Sequence, residues 1–140
     1  MVSISRESSA SPGRLWSVIT EVERWADRIP TVSSVTRVNG PADLTVGNRY
    51  ELEQPGLPKA TYEVTEVVPG ERFVWVAKSP GLTSTATHSV AAVATGSQLD
   101  LAFEWAGPLA PLARRLGTRK GRELMAVEAE RLTAVAEAGT

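Results

Sequence analysis

Residues 60–77 have the sequence ATYEVTEVVPGERFVWVA, which predicts two β-strands joined by a tight turn. Apolar and polar side chains alternate on both sides of Pro69-Gly70, which is typical of strands with one buried face. A turn at this dipeptide predicts an antiparallel hairpin in which Val64 pairs with Trp75. The residues expected on its inner face are Tyr62, Val64, Glu66, Phe73, Trp75 and Ala77, with Glu66 exposed at the hairpin end.

Turn signals recur about every dozen residues on either side of this hairpin, which favours sequential antiparallel hairpins. Between them lie segments that alternate or are rich in β-branched residues. The predicted strands cover residues 2–7, 32–38, 49–54, 60–68, 73–77, 83–94 and 97–106.

Two short helices are expected after the first strand. Ser11-Pro12 is an N-cap followed by proline in the first helical turn. Thr20 and Glu23 have the spacing of a capping box and predict a second helix from about Glu21. That helix buries Trp25 and Ile29 and ends at Pro30.

The C-terminal part of the chain changes pattern after Gly107-Pro108. Residues 111–138 are rich in Ala, Leu, Arg and Glu and predict one long helix, with a possible disturbance at Gly117 and Gly121. Its apolar positions at helical spacing are Leu112, Leu116, Leu124, Val127, Leu132 and Val135. The fold class is therefore α+β, a single sheet whose core face packs on this helix.

The same alternation of apolar and polar residues predicts which side chains of the last hairpin face inward. A two-residue turn at Thr95-Gly96 pairs His88 with Phe103 and Ala86 with Trp105. Six aromatic residues then share one concave face of the sheet: Tyr50, Tyr62, Phe73, Trp75, Phe103 and Trp105. They either form a plain core or, with small residues between them, line an apolar cavity of the order of 300–1,000 Å³.

Composition excludes several function classes. The 140 residues form one expected domain, residues 1–140, with 15 basic and 16 acidic side chains, so a nucleic-acid partner is not expected. There is no cysteine and one histidine, which excludes thiolate sites and metal centres with several imidazoles. No secretion signal or membrane-crossing segment is recognised, and a cytoplasmic protein without metal or cofactor is expected.

His88 is the candidate catalytic residue, because it is the only clear titratable side chain expected on the inner face. An imidazole in an apolar pocket can serve as acid, base or hydrogen-bond partner, although a structural histidine is the alternative. The candidate ligand-binding residues are Tyr50, Leu57, Tyr62, Trp75, Ala86, Phe103 and Trp105.

A run of basic residues lies on the predicted C-terminal helix without an acid among them: Arg114, Arg115, Arg119, Lys120 and Arg122. Such a run is either a solvated face or a docking surface for an anionic partner, which could be an acidic protein such as an acyl carrier protein or an anionic lipid headgroup. Association as a homodimer is a further possibility.

This order of elements resembles the helix-grip superfamily known as SRPBCC or START-like. The segments that look like its bacterial polyketide cyclase/dehydrase branch are residues 9–30, 67–75 and 132–137. The resemblance implies a seven-stranded antiparallel sheet curled around a long C-terminal helix, two short helices after strand 1, and an apolar pocket between sheet and helix.

A finer similarity involves Gly56-Leu57-Pro58. It resembles the gate loop of plant abscisic-acid receptors, which lies at the pocket mouth, and for this reason Leu57 is included among the ligand-binding residues. The other interpretation is an ordinary hairpin loop.

Three functions remain open. One is binding of a small hydrophobic molecule by a cofactor-independent cyclase- or dehydratase-like enzyme of bacterial secondary metabolism. The second is a non-catalytic carrier or sensor of a lipid, a quinone or another hydrophobic ligand. The third is a module recruited to a lipid, a quinone or a protein partner, with the C-terminal helix and its basic run as the contact surface. The sequence leaves the choice open, because fold implies a pocket and not a reaction.

Overall fold

A computed structural model describes residues 1–139, so that Thr140, the last residue of the expected domain, lies outside the described residues. The strands are β1 (Val2–Ser8), β2 (Ser34–Asn39), β3 (Arg49–Glu53), β4 (Ala60–Val68), β5 (Arg72–Ser79), β6 (Leu82–Val93) and β7 (Gly96–Ala106). The helices are α1 (Pro12–Thr20), α2 (Trp25–Arg28) and α3 (Ala110–Ala138), and a 3₁₀ turn (Val22–Arg24) precedes α2.

All seven strands form one antiparallel sheet in the order β1-β7-β6-β5-β4-β3-β2. Consecutive strands from β2 to β7 pair as hairpins, and β1 joins the far edge beside β7. The second half of α3 packs over the sheet through Met125, Ala129, Leu132 and Ala136, all of which are buried. The predicted α+β fold, a curled antiparallel sheet gripping a C-terminal helix, is confirmed.

The hairpin of β4 and β5 has the predicted pairing of Val64 with Trp75. A β-bulge follows Val64, so that Glu66 pairs with Val74 and Val67 pairs with Phe73. The expected inner phase of Glu66 is therefore wrong, because one extra residue in a strand turns the next side chain to the other face. Its carboxylate accepts a hydrogen bond from Arg72 at the surface.

The hairpin of β6 and β7 is displaced by two residues from the predicted register. Val93 pairs with Gly96, which leaves Ala94-Thr95 as the turn, and His88 lies opposite Leu101 instead of Phe103. A shift of two residues keeps every side chain on its predicted face. Gly96 is the first residue of β7. A Cβ at this position would lie 2.4 Å from the Ser8 carbonyl oxygen, so the close passage of the chain leaving β1 requires glycine here.

The first helix begins as predicted. The Ser11 hydroxyl accepts a hydrogen bond from the Arg14 amide at 3.1 Å, and the helix ends at Thr20. The predicted capping box is wrong, because the Thr20 hydroxyl donates backwards to the Trp16 carbonyl at 2.8 Å and makes no cap for α2. Trp25 is buried as expected.

The long helix is continuous through Gly117 and Gly121, so the predicted disturbance is absent. Its first half differs from expectation in a second way. Leu112 and Leu116 are 53% and 73% exposed, whereas helical spacing had placed both on the apolar, core-facing side. The first half of α3 therefore contributes few side chains to the core.

Candidate ligand-binding cavity

A cavity of about 200 Å³ lies between the sheet and the middle of α3. Its volume is smaller than the expected lower limit. Six of the seven candidate ligand-binding residues line it, namely Leu57, Tyr62, Trp75, Ala86, Phe103 and Trp105, and so does His88.

The sheet side of the cavity has large and small side chains in neighbouring strands. Ala86 pairs with Trp75 on one side and with Phe103 on the other. In the next row, Ser84 pairs with Trp105. Aromatic rings thus flank alanine and serine, and these small residues leave space that a uniformly large row would fill.

Two glycines make room on the helix side. A Cβ at Gly121 would meet no atom within 4 Å, whereas a Cβ at Gly117 would lie 3.1 Å from Cη2 of Trp105. The other α3 residues that line the cavity are Lys120, Leu124, Met125 and Glu128. The helix therefore bounds the cavity without filling it.

The mouth of the cavity lies where its lining residues are exposed. Leu57, in the loop between β3 and β4, is 40% exposed, and Lys120 of α3 is also exposed. Leu57 thus has the position that the resemblance to a gate loop suggested.

The inner end of the cavity is formed around His88, whose side chain is only 4% exposed. Its imidazole stacks on the ring of Phe73, with centroids 4.2 Å apart and planes 4° from parallel. The indoles of Trp25 and Trp75 flank it at 5.5 and 5.7 Å. These three rings fix the orientation of the imidazole.

Glu128 is the functional candidate that sequence reasoning missed. Its Oε1 lies 3.4 Å from Nε2 of His88, and the Glu128 side chain is 19% exposed. Within residues 1–139, neither Oε1 of Glu128 nor Nδ1 of His88 has a hydrogen-bond partner, although both atoms are buried. Helical spacing could have revealed Glu128, because it lies seven residues after Gly121 and shares its face.

Tyr62 lies near this pair. Burial, and secondarily the negative charge of Glu128, raise the pKa of the Tyr62 hydroxyl from its ordinary value of 10 to about 12. The hydroxyl therefore stays protonated throughout the neutral range and can donate a hydrogen bond into the cavity.

The raised pKa of Tyr62 predicts a loss of stability in alkali. The unfolded chain loses this proton near pH 10 and the folded chain near pH 12, so unfolding is favoured as the pH rises between these values. The full effect is roughly 2–3 kcal/mol. Urea unfolding of the native protein and of Tyr62→Phe should show a shallower alkaline decline in the variant; identical declines would contradict the assignment.

Two of the six inner-face aromatic residues are absent from the cavity lining. Tyr50 is 1% exposed, its ring packs 5.9 Å from that of Trp75, and its hydroxyl accepts a hydrogen bond from Nδ2 of Asn48 at 3.1 Å. Phe73 is fully buried behind His88. The candidate role of Tyr50 in ligand contact therefore has no geometric support.

The five basic residues predicted to form a run on α3 lie in different environments. Arg114 donates a hydrogen bond to the Trp105 carbonyl at 3.2 Å, and Lys120 lines the cavity. Arg115, Arg119 and Arg122 are exposed.

Within residues 1–139, no helix combines the length and the apolar composition that crossing a membrane requires.

Comparison with solved structures shows the same fold in proteins of low sequence identity. The hypothetical protein jhp0584 from Helicobacter pylori superposes with a TM-score of 0.79 at 14% identity, covering 96% of this chain and 86% of that one. Protein MLL2253 from Mesorhizobium loti gives 0.76 at 16% identity, with coverages of 99% and 98%.

A third similar structure is StfQ, a di-domain ARO/CYC from the steffimycin biosynthetic pathway. It gives a TM-score of 0.71 at 12% identity, and the match covers 97% of this chain and 48% of StfQ.

Comparison with curated proteins finds no match. The sequence model of one family, described as polyketide cyclase / dehydrase and lipid transport, matches residues 1–137. The resemblance seen in the sequence is thereby confirmed, and the chain belongs to this family.

Proposed function

We propose that the protein binds a small, mostly apolar molecule in the cavity between the sheet and α3, and that Glu128, beside His88, holds the one polar group of that molecule. The observation that carries this proposal is the buried Oε1 of Glu128, which lies 3.4 Å from Nε2 of His88 and has no hydrogen-bond partner within residues 1–139. A buried polar atom left without a hydrogen bond costs roughly 1–3 kcal/mol, so a ligand that donates a hydrogen bond to this oxygen gains affinity there.

The side chains that line the cavity indicate the shape of the apolar part of the ligand. Trp75, Phe103 and Trp105 present aromatic faces and edges around Ala86, which suits a flat ring system. A carboxylate accepts hydrogen bonds and donates none, so Glu128 favours a ligand with a hydroxyl at its inner end. A fused aromatic ring with one phenolic hydroxyl is the simplest molecule that meets both requirements.

The proposal predicts a selective gain from that hydroxyl. Native protein should bind 2-naphthol at least roughly tenfold more tightly than naphthalene, because a hydrogen bond to a charged group contributes about 1.5–3 kcal/mol. Glu128→Leu should reduce this ratio to near one, because leucine offers no acceptor. Tryptophan fluorescence titration with both compounds measures the ratio, since Trp75 and Trp105 line the cavity.

The matched control is Glu130→Leu, the same substitution on an exposed position of the same helix. It should leave the ratio at its native value. An equal ratio in the native protein and in Glu128→Leu would contradict the proposed role of Glu128.

A second candidate function is proton transfer during cyclisation or dehydration of a polyketide. The observation that favours it is the 3.4 Å approach of an imidazole nitrogen to a carboxylate oxygen at the closed end of an apolar cavity, with the protonated Tyr62 hydroxyl nearby. A carboxylate beside an imidazole can orient it and stabilise its charged form during catalysis. The non-catalytic alternative, a carrier or sensor, uses the same groups for hydrogen bonding alone.

We propose that this activity belongs to a cytoplasmic protein and to one domain, residues 1–140. The single domain is supported by the match of residues 1–137 to one family model and by the continuous core that contains residues from Val2 to Ala136.

A further inference from the structure

The outer face of the first half of α3 is apolar where a solvated helix would be polar. Leu109, at the start of the helix, is 47% exposed, and Leu112 and Leu116 are 53% and 73% exposed. Leu112 and Leu116 are four residues apart, so they lie on one face of the helix. We name these three residues the leucine face.

Arginines flank the leucine face. Arg115 and Arg119 lie within one helical turn of Leu116, and Arg122 follows one turn later on the same side. Arg119 has one weak ion pair, with Glu123 at 3.8 Å, in which its side chain remains 95% exposed. These three side chains are therefore available to a partner.

Basic residues are concentrated in one segment of the chain, and the remainder is acidic. Five basic residues and no acid lie between Ala110 and Arg122. Of the 15 basic and 16 acidic residues in the chain, this leaves ten basic against sixteen acidic everywhere else. A cationic segment on an otherwise anionic protein orients the molecule toward a negative surface.

We infer that the leucine face and Arg115, Arg119 and Arg122 dock on an anionic lipid surface. An amphipathic helix with leucines in its centre and arginines at its flank fits the boundary between acyl chains and phosphate groups, which offers both kinds of contact in one plane. The helix is already folded by the packing of its second half, so docking needs no ordering of the segment.

This arrangement places the cavity mouth beside the lipid surface. Gly117 and Lys120 line the cavity and belong to the same helical segment as the leucine face. A hydrophobic ligand could therefore pass between bilayer and cavity over a short path.

Vesicle flotation tests the inference on the full chain. The protein should float with vesicles of phosphatidylcholine and phosphatidylglycerol, bind at least tenfold more weakly to phosphatidylcholine alone, and dissociate as salt is raised. Combined replacement of Arg115, Arg119 and Arg122 by Gln should weaken binding about 100-fold, at roughly fivefold for each arginine. Replacing Leu112 and Leu116 by Ser should weaken it roughly tenfold for each leucine.

Matched controls come from other exposed residues. Val38 and Val46 are each 57% exposed, so Val38→Ser and Val46→Ser remove similar apolar surface away from α3 and should leave flotation unchanged. Arg24→Gln with Lys78→Gln serves the same purpose for charge.

Three results would overturn the inference: no flotation with anionic vesicles, equal flotation with both compositions, or native flotation by the arginine and leucine variants. Binding of an acidic carrier protein by this face without vesicle binding would also overturn it, because the partner would then be a protein. The naphthol titration on the same variants should be unchanged, which separates a failure here from a failure of the proposed function.

Discussion

Replacing Gly121 by leucine is expected to weaken binding of both naphthalene and 2-naphthol by at least about 100-fold, a loss of roughly 3 kcal/mol. A Cβ at this position meets no atom within 4 Å, and the residue lines the cavity, so the new side chain occupies the space of the ligand. The ligand then loses the burial of a few of its carbon atoms, and at about 0.8 kcal/mol for each buried methylene this accounts for the lost affinity.

The same variant is expected to be more stable than the native protein. Glycine inside a helix is less favourable than leucine by roughly 0.5–1 kcal/mol, and the added side chain buries apolar surface in the cavity. Titration calorimetry and urea unfolding together measure the two opposite effects. Weaker binding with higher stability cannot arise from misfolding.

Gly13→Leu is the matched control, since Gly13 lies in α1, is exposed, and has open space around its Cβ position. It should bind both compounds like the native protein. A stable Gly121→Leu variant with native affinity would show that ligands bind elsewhere, and a strongly destabilised one would show that the space beside Gly121 is not free.

The largest effect on turnover is expected at His88. If the protein cyclises or dehydrates a linear poly-β-ketone, His88→Gln should lower turnover by roughly 10²–10⁴-fold, because glutamine keeps a polar side chain but transfers no proton near neutral pH. Substrate affinity should change by less than about tenfold, the value of one hydrogen bond. Product formation followed by chromatography, with substrate affinity measured separately, distinguishes the two effects.

Ser89→Ala is the control for this experiment, because Ser89 is the next residue in β6 and points to the opposite face of the sheet. It should turn over the substrate at the native rate. Native turnover that survives His88→Gln would exclude the imidazole as acid or base. A protein that binds poly-β-ketones without converting them should show only the change in affinity, as expected of a carrier.

The strands could be predicted from the sequence because a sheet covered on one face imposes a period of two. This period placed His88, Trp75 and Phe103 on the inner face and therefore identified most of the cavity wall. The registers of strand pairing were harder to predict from the sequence. The bulge after Val64 and the turn at Ala94-Thr95 depend on backbone hydrogen bonds and on the close approach of Ser8 to Gly96, and side-chain alternation does not encode either.

The errors on α3 have a different cause. Helical spacing identifies an apolar face but not the length over which another element covers it. Met125, Ala129, Leu132 and Ala136 are buried where α3 contacts the sheet and α1, whereas Leu112 and Leu116 lie on an earlier part of the helix and face solvent. Glu128 was missed for another reason: it shares a helix face with Gly121, but a glutamate on a helix is ordinarily solvated.

A crystal structure of the protein with 2-naphthol tests the central claim most directly. The account predicts the ring between Trp75, Phe103 and the backbone of Gly121, with the naphthol oxygen roughly 2.5–3.0 Å from a carboxylate oxygen of Glu128. A ligand bound outside this cavity, or bound inside it with its hydroxyl directed toward Leu57 and Lys120, would contradict it.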